Sequence, residues 1–406
     1  MESNEPAKQR LLILTSTLPT SESDPSPRFV LDLAIRLKPK FHITLLAPHG
    51  PGLPRKQSLD GIEVHRFRYL PARFETLAYS GGIPDRLRAN PLNYLAVPFF
   101  LIAQTLAVAR LIRRDMPSVV HAHWWMPQGL TAMLGRWLAR KPIPVVCTLH
   151  GGDVFSFQGP VMRALMRAVL RRCASICPVS TAVRDSLPAD IAGRHSTIIA
   201  PMGVDTRQIF RPVTGITPDD RKILFVGRLA AKKGVDWLLH AFALALQDRP
   251  DLHLNIVGGG PMGTELKELA DQLGIFPRVS FSGPVPHREL PARYSESCVS
   301  VIPSIRAKGG DREGLGLTAI EALACGCPVI VSDTPSLADV VTDGRNGVVV
   351  AQNDTDALAR AMIRLASDQQ LRRRLRADAR VSVRQFDWEA AADRYATLLS
   401  GALAPK

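Results

Sequence analysis

The sequence predicts an α/β protein made of two doubly wound, parallel-sheet domains. The chain has 406 residues, a length that suits two domains of roughly 200 residues better than one. Short apolar runs alternate with longer helical stretches from end to end, which is typical of parallel sheets with right-handed crossovers. This series restarts near residue 221, after a turn-rich stretch containing Pro201, Pro212 and Pro218.

The apolar runs place the strands of both domains. In the first half they predict strands at 11–15, 42–47, 62–66, 119–121, 144–148, 175–179 and 196–200. In the second half they predict strands at 222–226, 253–257, 279–281, 299–302, 328–331 and 347–350. We expect an N-terminal domain over 1–212, a C-terminal domain over 213–385, and a last helix within 386–406 that packs back on the N-terminal domain. Ligands of such sheets bind beyond the carboxyl ends of the strands.

Charge and composition narrow the class of partner. The formal net charge is +14, and residues 1–211 hold 27 Lys/Arg against 14 Asp/Glu, so almost all the excess lies there. No nucleic-acid module is visible, since there is no zinc finger and aromatic residues make up 6%. The six cysteines lack metal-ligand spacing and suit reduced thiols. No N-terminal stretch resembles a signal peptide, so we expect a cytoplasmic protein.

Two arginine-punctuated apolar stretches, 101–114 and 161–172, add a membrane hypothesis. The longest apolar run, 94–109, falls short of the roughly 20 residues of a spanning helix. Basic amphipathic helices nevertheless suit an anionic membrane surface. The alternative is a core helix with a solvated face. The membrane interpretation predicts peripheral binding at the cytoplasmic face through the N-terminal domain.

The segment from Glu313 to Glu321, with the sequence EGLGLTAIE, is the most informative in the chain. It joins an apolar strand to a helix, and the backbone N–H groups of a Gly-rich turn before a helix attract phosphates. The flanking carboxylates would repel phosphate, so they are expected to bind sugar and ribose hydroxyl groups. This pattern predicts a nucleoside-diphosphate sugar as ligand. The substrate-binding candidates here are Gly314, Leu315, Gly316, Leu317 and Glu321.

Two cations follow the strand predicted at 222–226. Arg228 and Lys233 lie in a loop that begins with Gly227 at the strand end. Two fixed cations can neutralise a diphosphate leaving group without a metal. The alternative is a solvated basic loop, and the nearby carboxylate pair favours the functional interpretation.

Histidines mark the strand ends of the N-terminal domain. His150 ends the strand 144–148 and is followed by Gly151, Gly152 and Asp153, so a ligand could approach the backbone closely. His150 could bind a sugar hydroxyl, although a lone histidine is more often structural. Asp153 is a candidate ligand group, yet an Asp at this place often caps the next helix. Upstream, the segment 121–125 (HAHWW) lacks a third metal ligand, and its indoles suggest a platform for sugar or lipid.

Two further patterns are discounted. The segment 258–263 (GGGPMG) fits a dinucleotide fingerprint literally, but no acidic residue ends the next strand as that fingerprint requires. Asp354 and Asp356 resemble a metal-binding pair, but they directly precede a helical run, where Asp is an ordinary N-cap.

Together these motifs resemble the retaining glycosyltransferases of family 4. The resemblance rests on 227–234 (GRLAAKKG), 258–261 (GGGP), Pro303-Ser304, the Glu313/Glu321 pair and 324–329 (ACGCPV), and it covers nearly the whole chain. It implies the GT-B fold, in which two Rossmann-like domains face each other across a cleft. It also implies a nucleotide sugar on the C-terminal domain, the acceptor on the N-terminal one, and no metal or cofactor.

The resemblance assigns roles residue by residue. Glu313 would bind the donor sugar and Glu321 the ribose, while the amides near Gly316 and Leu317 would support phosphates and sugar. Arg228 and Lys233 would bind the diphosphate, and His150 would face the donor sugar from the opposite domain. The predicted catalytic residues are therefore His150, Glu313, Arg228 and Lys233. The loop 17–29 departs from the family because it lacks glycine, and Arg28 is a candidate substitute for its phosphate contacts. The loop 334–339 also differs from the usual version.

The main hypothesis is therefore a hexosyltransferase. It would act with retention on a membrane-associated, lipid-linked saccharide in surface polysaccharide or glycolipid biosynthesis. Two alternatives remain: a nucleotide-sugar epimerase of similar fold, and a non-catalytic subunit that binds a sugar nucleotide. The sequence leaves open whether the donor is UDP- or GDP-linked.

Overall fold

The computed structural model describes residues 8–21, 24, 27–79 and 82–403 and divides into two compact units. The first unit comprises Met1–Val179, Val183–Met202 and Ala391–Lys406, and the second comprises Ser180–Ala182 and Gly203–Ala390. The chain thus passes from one unit to the other at 202/203, before the expected boundary at 212. Each unit contains a largely parallel sheet flanked by helices, so the predicted α/β class is confirmed.

The N-terminal half forms a seven-stranded sheet in the order β3-β4-β2-β1-β5-β6-β7. Its strands are β1 (Gln9–Leu14), β2 (Phe41–Pro48), β3 (Lys56–Leu59), β4 (Ile62–Phe67), β5 (Val119–His123), β6 (Val145–Leu149) and β7 (Ser175–Pro178). Its helices are α1 (Phe29–Leu37), α2 (Ile83–Ala89), α3 (Ala96–Asp115), α4 (Leu130–Ala139), α5 (Gly152–Phe155), α6 (Pro160–Leu170), α7 (Thr181–Asp185) and α8 (Ala189–Ala192). The strands β5 and β6 are buried along their whole length, as expected for central parallel strands covered on both faces.

The sequence analysis was wrong at two places in this sheet. The apolar run 196–200 forms only an isolated bridge, between Ile176 and Thr197. Conversely, β3 pairs antiparallel with β4 although its sequence is polar. The hairpin turn consists of Asp60 and Gly61, both with positive φ (48° and 73°). Asp-Gly is the typical sequence of this tight turn, and it was the available signal for β3.

The C-terminal half forms a six-stranded parallel sheet in the order β10-β9-β8-β11-β12-β13. Its strands are β8 (Asp219–Val226), β9 (His253–Val257), β10 (Val279–Gly283), β11 (Ser297–Ile302), β12 (Val329–Ser332) and β13 (Gly347–Val350). Its helices are α9 (Val235–Asp248), α10 (Gly263–Gln272), α11 (Leu290–Glu296), α12 (Leu317–Ala324), α13 (Thr355–Ser367) and α14 (Gln369–Ser382). All six strands predicted from the apolar runs are present.

In both sheets the strand order reverses beside the first strand. In the N-terminal sheet β1 lies between β2 and β5, and in the C-terminal sheet β8 lies between β9 and β11. Such a switch point leaves a crevice at the carboxyl ends of the two strands, where α/β proteins bind ligands. The candidate residues should therefore lie after β1 and β5 in one unit and after β8 and β11 in the other.

The last helix, α15 (Trp388–Gly401), begins in the second unit and continues in the first. Its buried Tyr395 donates a hydrogen bond to the carbonyl of Ala200 at 2.7 Å, and its ring lies 5.5 Å from that of His121. Tyr395 thereby ties the C-terminal part of the helix to the N-terminal sheet.

The long apolar helix of the first unit is longer than its sequence suggested. A short turn joins α3 to give a continuous stretch, Pro91–Asp115, which is the one helix among the described residues with the length and composition to cross a membrane. The sequence analysis expected this run to be too short to span a membrane, and the length of the helix shows that this expectation was wrong. The helix also has a packed face, because Phe100, Val108 and Ile112 are buried in the unit.

Candidate active site

The cations and carboxylates predicted in the second unit follow two neighbouring strands at its switch point. Arg228 lies directly after β8, and the loop that leads to Glu313 leaves the end of β11. The two strands pair in parallel, with Leu224 opposite Ser300, so both loops leave the same edge of the sheet. The side chain of Arg228 is exposed there. The crevice predicted from the strand order is thus lined by charged groups.

Lys233 and Glu313 form an ion pair at this edge. The Nζ atom of Lys233 lies 2.5 Å from Oε2 of Glu313, and each side chain is 13% exposed. Beside them Lys232 pairs with Asp311 at 3.2 Å. Burial by itself would raise the pKa of the Glu313 carboxyl, but the charges of Lys233 and Lys232 outweigh it and lower that pKa to about 2. Glu313 is therefore ionised at any physiological pH.

The pairing joins two groups to which the sequence assigned separate parts of a ligand. It does not use up either group, because an ammonium has three N–H donors and a carboxylate accepts about four hydrogen bonds. The remaining donors of Lys233 can bind a phosphate oxygen while the remaining lone pairs of Glu313 accept from a sugar hydroxyl. In the absence of ligand, the pair also holds both side chains at the crevice.

The segment between the two carboxylates turns sharply into α12. Gly316 is left-handed (φ 81°), and a side chain at this position would overlap with Leu337. The helix begins at Leu317 without a side-chain cap. The Ala319 amide donates to the Gly316 carbonyl at 2.9 Å, so the amides of Leu317 and Thr318 are the ones available to an anion, which the helix dipole also favours. Gly314, Leu315, Gly316 and Leu317 stand where the sequence analysis expected a phosphate-binding turn.

Glu321 lies deeper, on the second turn of α12, and is 6% exposed. Its Oε2 accepts a hydrogen bond from the Tyr294 hydroxyl at 3.1 Å, and its Oε1 lies 3.9 Å from Nε2 of His287. Burial raises the pKa of Glu321, while His287 and the Tyr294 hydroxyl oppose that rise. Neither partner was recognised in the sequence, because nothing in the local pattern marks a tyrosine on α11 or a histidine before it.

The glycines that imitate a dinucleotide fingerprint have a packing role. A side chain at Gly258 would overlap with the carbonyl of Gly227, and one at Gly260 would overlap with that of Leu229. The loops after β8 and β9 are joined by a hydrogen bond from the Leu229 amide to the Gly259 carbonyl, at 2.9 Å. Close backbone approach, which only glycine permits, supports the loop that carries Arg228.

In the first unit, His150 lies in a cluster of rings beside the carboxyl ends of β5 and β6. Its Nε2 lies 3.0 Å from Nδ1 of His123, and the Trp124 and Phe29 rings lie 4.7 and 5.1 Å from it. Trp124 has a positive φ of 75°, uncommon for a residue with a side chain, which turns its indole onto His150. Burial lowers the pKa of His150 to about 3, so its imidazole is neutral at physiological pH.

The contact between the two imidazoles selects a tautomer. Nε2 of His123 is buried and has no hydrogen-bond partner within the described residues. A buried N–H without a partner is rarer and less favourable than an unpaired acceptor, so the proton of His123 belongs on Nδ1. His123 then donates to Nε2 of His150, which leaves Nδ1–H of His150 as its own donor. The sequence analysis noted His123 but did not recognise this positioning role.

Asp153 and Arg28 have roles other than those predicted. The two carboxylate oxygens of Asp153 accept hydrogen bonds from the backbone N–H groups of His150 and Trp125, at 3.1 and 3.0 Å. Asp153 is 4% exposed and so holds the two loops together, rather than capping a helix or reaching a ligand. Gly151, the preceding predicted residue, has φ 99° and lets the chain turn into α5. Arg28 pairs with both Asp60 at 2.5 Å and Asp32 at 3.5 Å, so two carboxylates surround one cation, and the net negative charge of this group disfavours a phosphate contact. The adjoining positions 22, 23, 25 and 26 of that loop lie outside the described residues.

The acidic pair near α13 behaves as an ordinary cap. The side chain of Asp354 accepts a hydrogen bond from the Ala357 amide at 2.8 Å. This bears out the N-cap interpretation. Within the part of the chain that the structure describes, no group of three His, Cys, Asp or Glu side chains is placed to hold a metal ion.

Two family models together match most of the chain, and several known proteins are similar to it. Residues 26–208 match the model of Glycosyltransferase Family 4, and residues 206–382 match that of Glycosyl transferases group 1. A GDP-mannose-dependent alpha-(1-6)-phosphatidylinositol monomannoside mannosyltransferase from Mycolicibacterium smegmatis is 31% identical over 74% of this chain and 82% of its own. A D-inositol 3-phosphate glycosyltransferase from Frankia alni is 31% identical over 84% of this chain and 90% of its own.

Solved structures share the fold at lower identity. Sucrose-phosphate synthase from Thermosynechococcus elongatus has a TM-score of 0.77 at 23% identity and covers 97% of this chain and 99% of its own. HepE from Anabaena, in complex with UDP-glucose, has a TM-score of 0.71 at 18% identity and covers 97% of this chain and 100% of its own. These similarities confirm the GT-B class of fold.

Proposed function

The chain belongs to glycosyltransferase family 4, and we propose that it transfers a hexose from a UDP- or GDP-linked sugar, with retention, to a membrane-associated, lipid-linked saccharide. That it is a glycosyltransferase using a nucleotide sugar follows from the family and its relatives. The nature of the acceptor, the stereochemistry and a role in surface polysaccharide or glycolipid biosynthesis are the proposal.

The observation that carries the proposal is the charged switch point of the second unit. Arg228, the Lys233–Glu313 pair and the uncapped start of α12 follow the adjacent strands β8 and β11. A nucleoside diphosphate sugar presents a pyrophosphate between two polyhydroxylated rings. Cations and helix amides suit the pyrophosphate, and ionised carboxylates suit hydroxyl groups.

The chemistry follows from where charge develops. As the bond from the sugar to the diphosphate breaks, negative charge grows on the leaving phosphate. Arg228 and Lys233 would stabilise that charge without reorganising, which is the main source of catalysis in such sites. Glu313 would hold a hydroxyl of the transferred sugar, and Glu321 would hold the ribose. In retaining members of the family, the leaving phosphate itself helps to deprotonate the acceptor on the same face.

The first unit supports an acceptor rich in hydroxyl groups. His150 is neutral and offers Nδ1–H as a donor, in a cluster with the apolar rings of Phe29 and Trp124. The name of the relative from Mycolicibacterium smegmatis describes a phosphatidylinositol mannoside as its substrate. The strong positive charge of residues 1–211 also suits an anionic membrane. We therefore propose a cytoplasmic protein that acts at the cytoplasmic membrane face.

Thermal unfolding with UDP-glucose and GDP-mannose tests the donor part of the proposal. A donor at a hundred times its dissociation constant adds about 2.7 kcal/mol to the free energy of unfolding, so one of the two should raise Tm. In Arg228→Ala the ligand-induced shift should vanish while Tm without ligand is unchanged. The matched control is Arg221→Ala, near the start of β8 and so away from the carboxyl edge, where the arginine is exposed and pairs with Asp219.

Two results would overturn the assignment. One is a full ligand-induced shift in Arg228→Ala. The other is conversion of the nucleotide sugar at the same rate with and without an acceptor, while no sugar is transferred to water. That result would indicate an epimerase.

A further inference from the structure

Helix α3 has two apolar faces, and only one of them is covered. Phe100, Val108 and Ile112 point into the first unit and are buried. A helix at the surface of a soluble protein normally presents polar residues on its other face. Here the outer face is also apolar, and its side chains are at least half exposed. They are Leu92 and Leu95, just before the helix, and Phe99, Ile102 and Leu106 within it.

The exposed residues follow the helical period. Positions 92, 95, 99, 102 and 106 recur at intervals of three and four, and the series continues with the exposed arginines Arg110 and Arg113. They form one straight stripe, which extends from Phe99 to Arg113 over about 21 Å. The stripe is apolar for its first turns and cationic at its end.

The neighbouring helix α4 widens the apolar part. Its Gly135 packs closely against Val108 of α3, where a side chain would meet the Val108 Cβ at 2.8 Å. On the outward side α4 exposes Leu134 and Trp137, and 77% of Trp137 is accessible. An exposed tryptophan beside a stripe of leucine, isoleucine and phenylalanine is typical of proteins that lie in a membrane interface.

A basic groove adjoins the cationic end. A cavity of about 450 Å³ is lined by Leu106 and Arg110 of α3 and by Arg55, Lys56 and Arg68 from the opposite wall. None of the residues lining this groove, among those that the structure describes, is acidic. Arg55, Lys56 and Arg68 are exposed beside the stripe, and of these Arg68 also lies 3.8 Å from the buried carboxylate of Glu75.

The other basic helix of the first unit lacks these features. On α6, Arg167 lies 3.0 Å from Asp190, and the following Arg171 lies 2.7 Å from the same carboxylate. The charge of this surface is thus partly neutralised within the unit. Val161 is the large apolar residue of α6 that is strongly exposed. Of the two candidate helices, α3 is the one with an uncovered apolar stripe.

We propose that the outer face of α3, together with the basic groove, is the surface by which the first unit docks on an anionic lipid bilayer. This docking surface consists of Leu95, Phe99, Ile102, Leu106, Trp137, Arg110, Arg55, Lys56 and Arg68. The inference deepens the proposed function, because it rests on a membrane-associated acceptor. The apolar stripe enters the boundary between headgroups and acyl chains, while the cations bind lipid phosphates. The charge identifies the occupant: a second copy of the chain would bring the same positive groove against itself.

Vesicle co-sedimentation of the full chain tests this surface without any sugar. Wild type is expected to bind vesicles containing phosphatidylglycerol, more weakly at high salt, and to bind pure phosphatidylcholine poorly. Phe99→Ser combined with Ile102→Ser should weaken binding about 100-fold, since the burial of each such side chain contributes about tenfold. Arg110→Glu should weaken it at least fivefold, the factor expected for each basic contact.

Matched controls come from the second unit. Phe276→Ser combined with Val381→Ser removes two comparably exposed apolar side chains, and Arg373→Glu makes the same charge change on an exposed helix. Neither control should alter vesicle binding by more than about twofold. Circular dichroism and the thermal shift with a nucleotide sugar should be unchanged in every variant, which separates a failure of docking from a failure of donor binding.

Vesicle binding that survives both the apolar and the charge variant would overturn the proposal. So would a change of oligomeric state in the apolar variant with vesicle binding intact, because the stripe would then be a contact between copies. Should the double variant prove unstable, Arg110→Glu alone still decides the question, since that side chain is exposed and forms no ion pair with the described residues.

Discussion

The carboxyl edges of the two sheets have opposite electrostatic characters. In the first unit the edge carries His121, His123 and His150, and burial lowers the pKa of each imidazole so that all three are neutral. In the second unit the edge carries Glu313, whose carboxyl remains ionised because Lys233 lies 2.5 Å away and helps to lower its pKa to about 2. Around the switch point the two sheets have the same strand order and the same parallel pairing.

The difference shows how one architecture supports two kinds of binding. A diphosphate brings charge into the crevice, so its site needs cations that are already in place and already compensated. A hydroxyl acceptor brings none, and a fixed charge beside it would be costly to desolvate. Neutral imidazoles can donate and accept hydrogen bonds in a dry cluster without that penalty. The comparison therefore supports the proposal that the donor binds to the second unit and an uncharged saccharide to the first.

The largest expected effect is on the charged edge. Glu313→Gln should lower kcat about 10²–10³-fold, because an amide cannot replace the charge that holds both Lys233 and a sugar hydroxyl. The free energy of unfolding should fall by about 1.5–3 kcal/mol, since Lys233 loses a charged partner. Transfer assays and urea unfolding measure the two quantities. Wild-type kcat in this variant would remove Glu313 from the site.

The second-largest effect is expected at low pH, which should change the stability of the two units differently. The unfolded chain binds protons on its histidines below about pH 6.5, whereas the folded cluster does not, so the stability of the first unit falls as pH falls. Asp153 has the opposite effect, because burial raises its pKa to about 6. Below that pH the folded chain binds one proton that the unfolded chain does not, and this adds stability as pH falls. Glu313 contributes stability above its unfolded pKa of 4.5, which is lost only as pH falls towards about 2. Between pH 7 and 5 the first unit should therefore weaken first.

A single substitution makes the acid prediction quantitative. His121→Gln removes one lowered pKa and should reduce the slope of stability with pH by about 1.4 kcal/mol per pH unit between pH 5 and 6. Urea unfolding followed by tryptophan fluorescence measures the slope, because three of the five tryptophans, Trp124, Trp125 and Trp137, lie in the first unit. An unchanged slope would mean that His121 gains no protons on unfolding in this range.

The smallest effect concerns the tautomer of His150. His123→Asn places an amide N–H near the position of Nδ1 and should keep kcat within about threefold, whereas His123→Ala should lower it about tenfold. The ¹⁵N chemical shifts of the His150 imidazole should show Nδ1 protonated in wild type and a tautomer mixture in His123→Ala. Equal activity of the two variants, with unchanged shifts, would contradict the positioning role.

Local patterns were sufficient for most of the framework. The apolar runs located β8 to β13, most directly the central strands β11 and β12, which are buried along their whole length and read as continuous hydrophobic segments. They failed for β3, whose polar edge position leaves no such run, and for 196–200, where apolar residues form a bridge but no strand. The Asp354 cap was readable because its partner amide is only three residues away.

Contacts between distant residues were not readable from one sequence. The charges of Lys233 and Glu313 were visible, but their 2.5 Å approach depends on two loops brought together by the pairing of β8 with β11. The partners of Glu321, on α11 and just before it, carry no local signal. At position 153 the sequence shows only an acidic residue after two glycines. The structural role of Asp153 is visible only in its contacts with the amides of His150 and Trp125.

By itself, then, the sequence determined the fold class, the family resemblance and the chemical types at each strand end. These depend on hydrophobic periodicity and on short motifs, in which each residue's environment is set by near neighbours. The tertiary structure alone decided which charges are paired, which histidines are neutral, and which face of α3 stays uncovered. Those properties depend on burial and on distances across the sheet, where groups far apart in the chain share one low-dielectric environment.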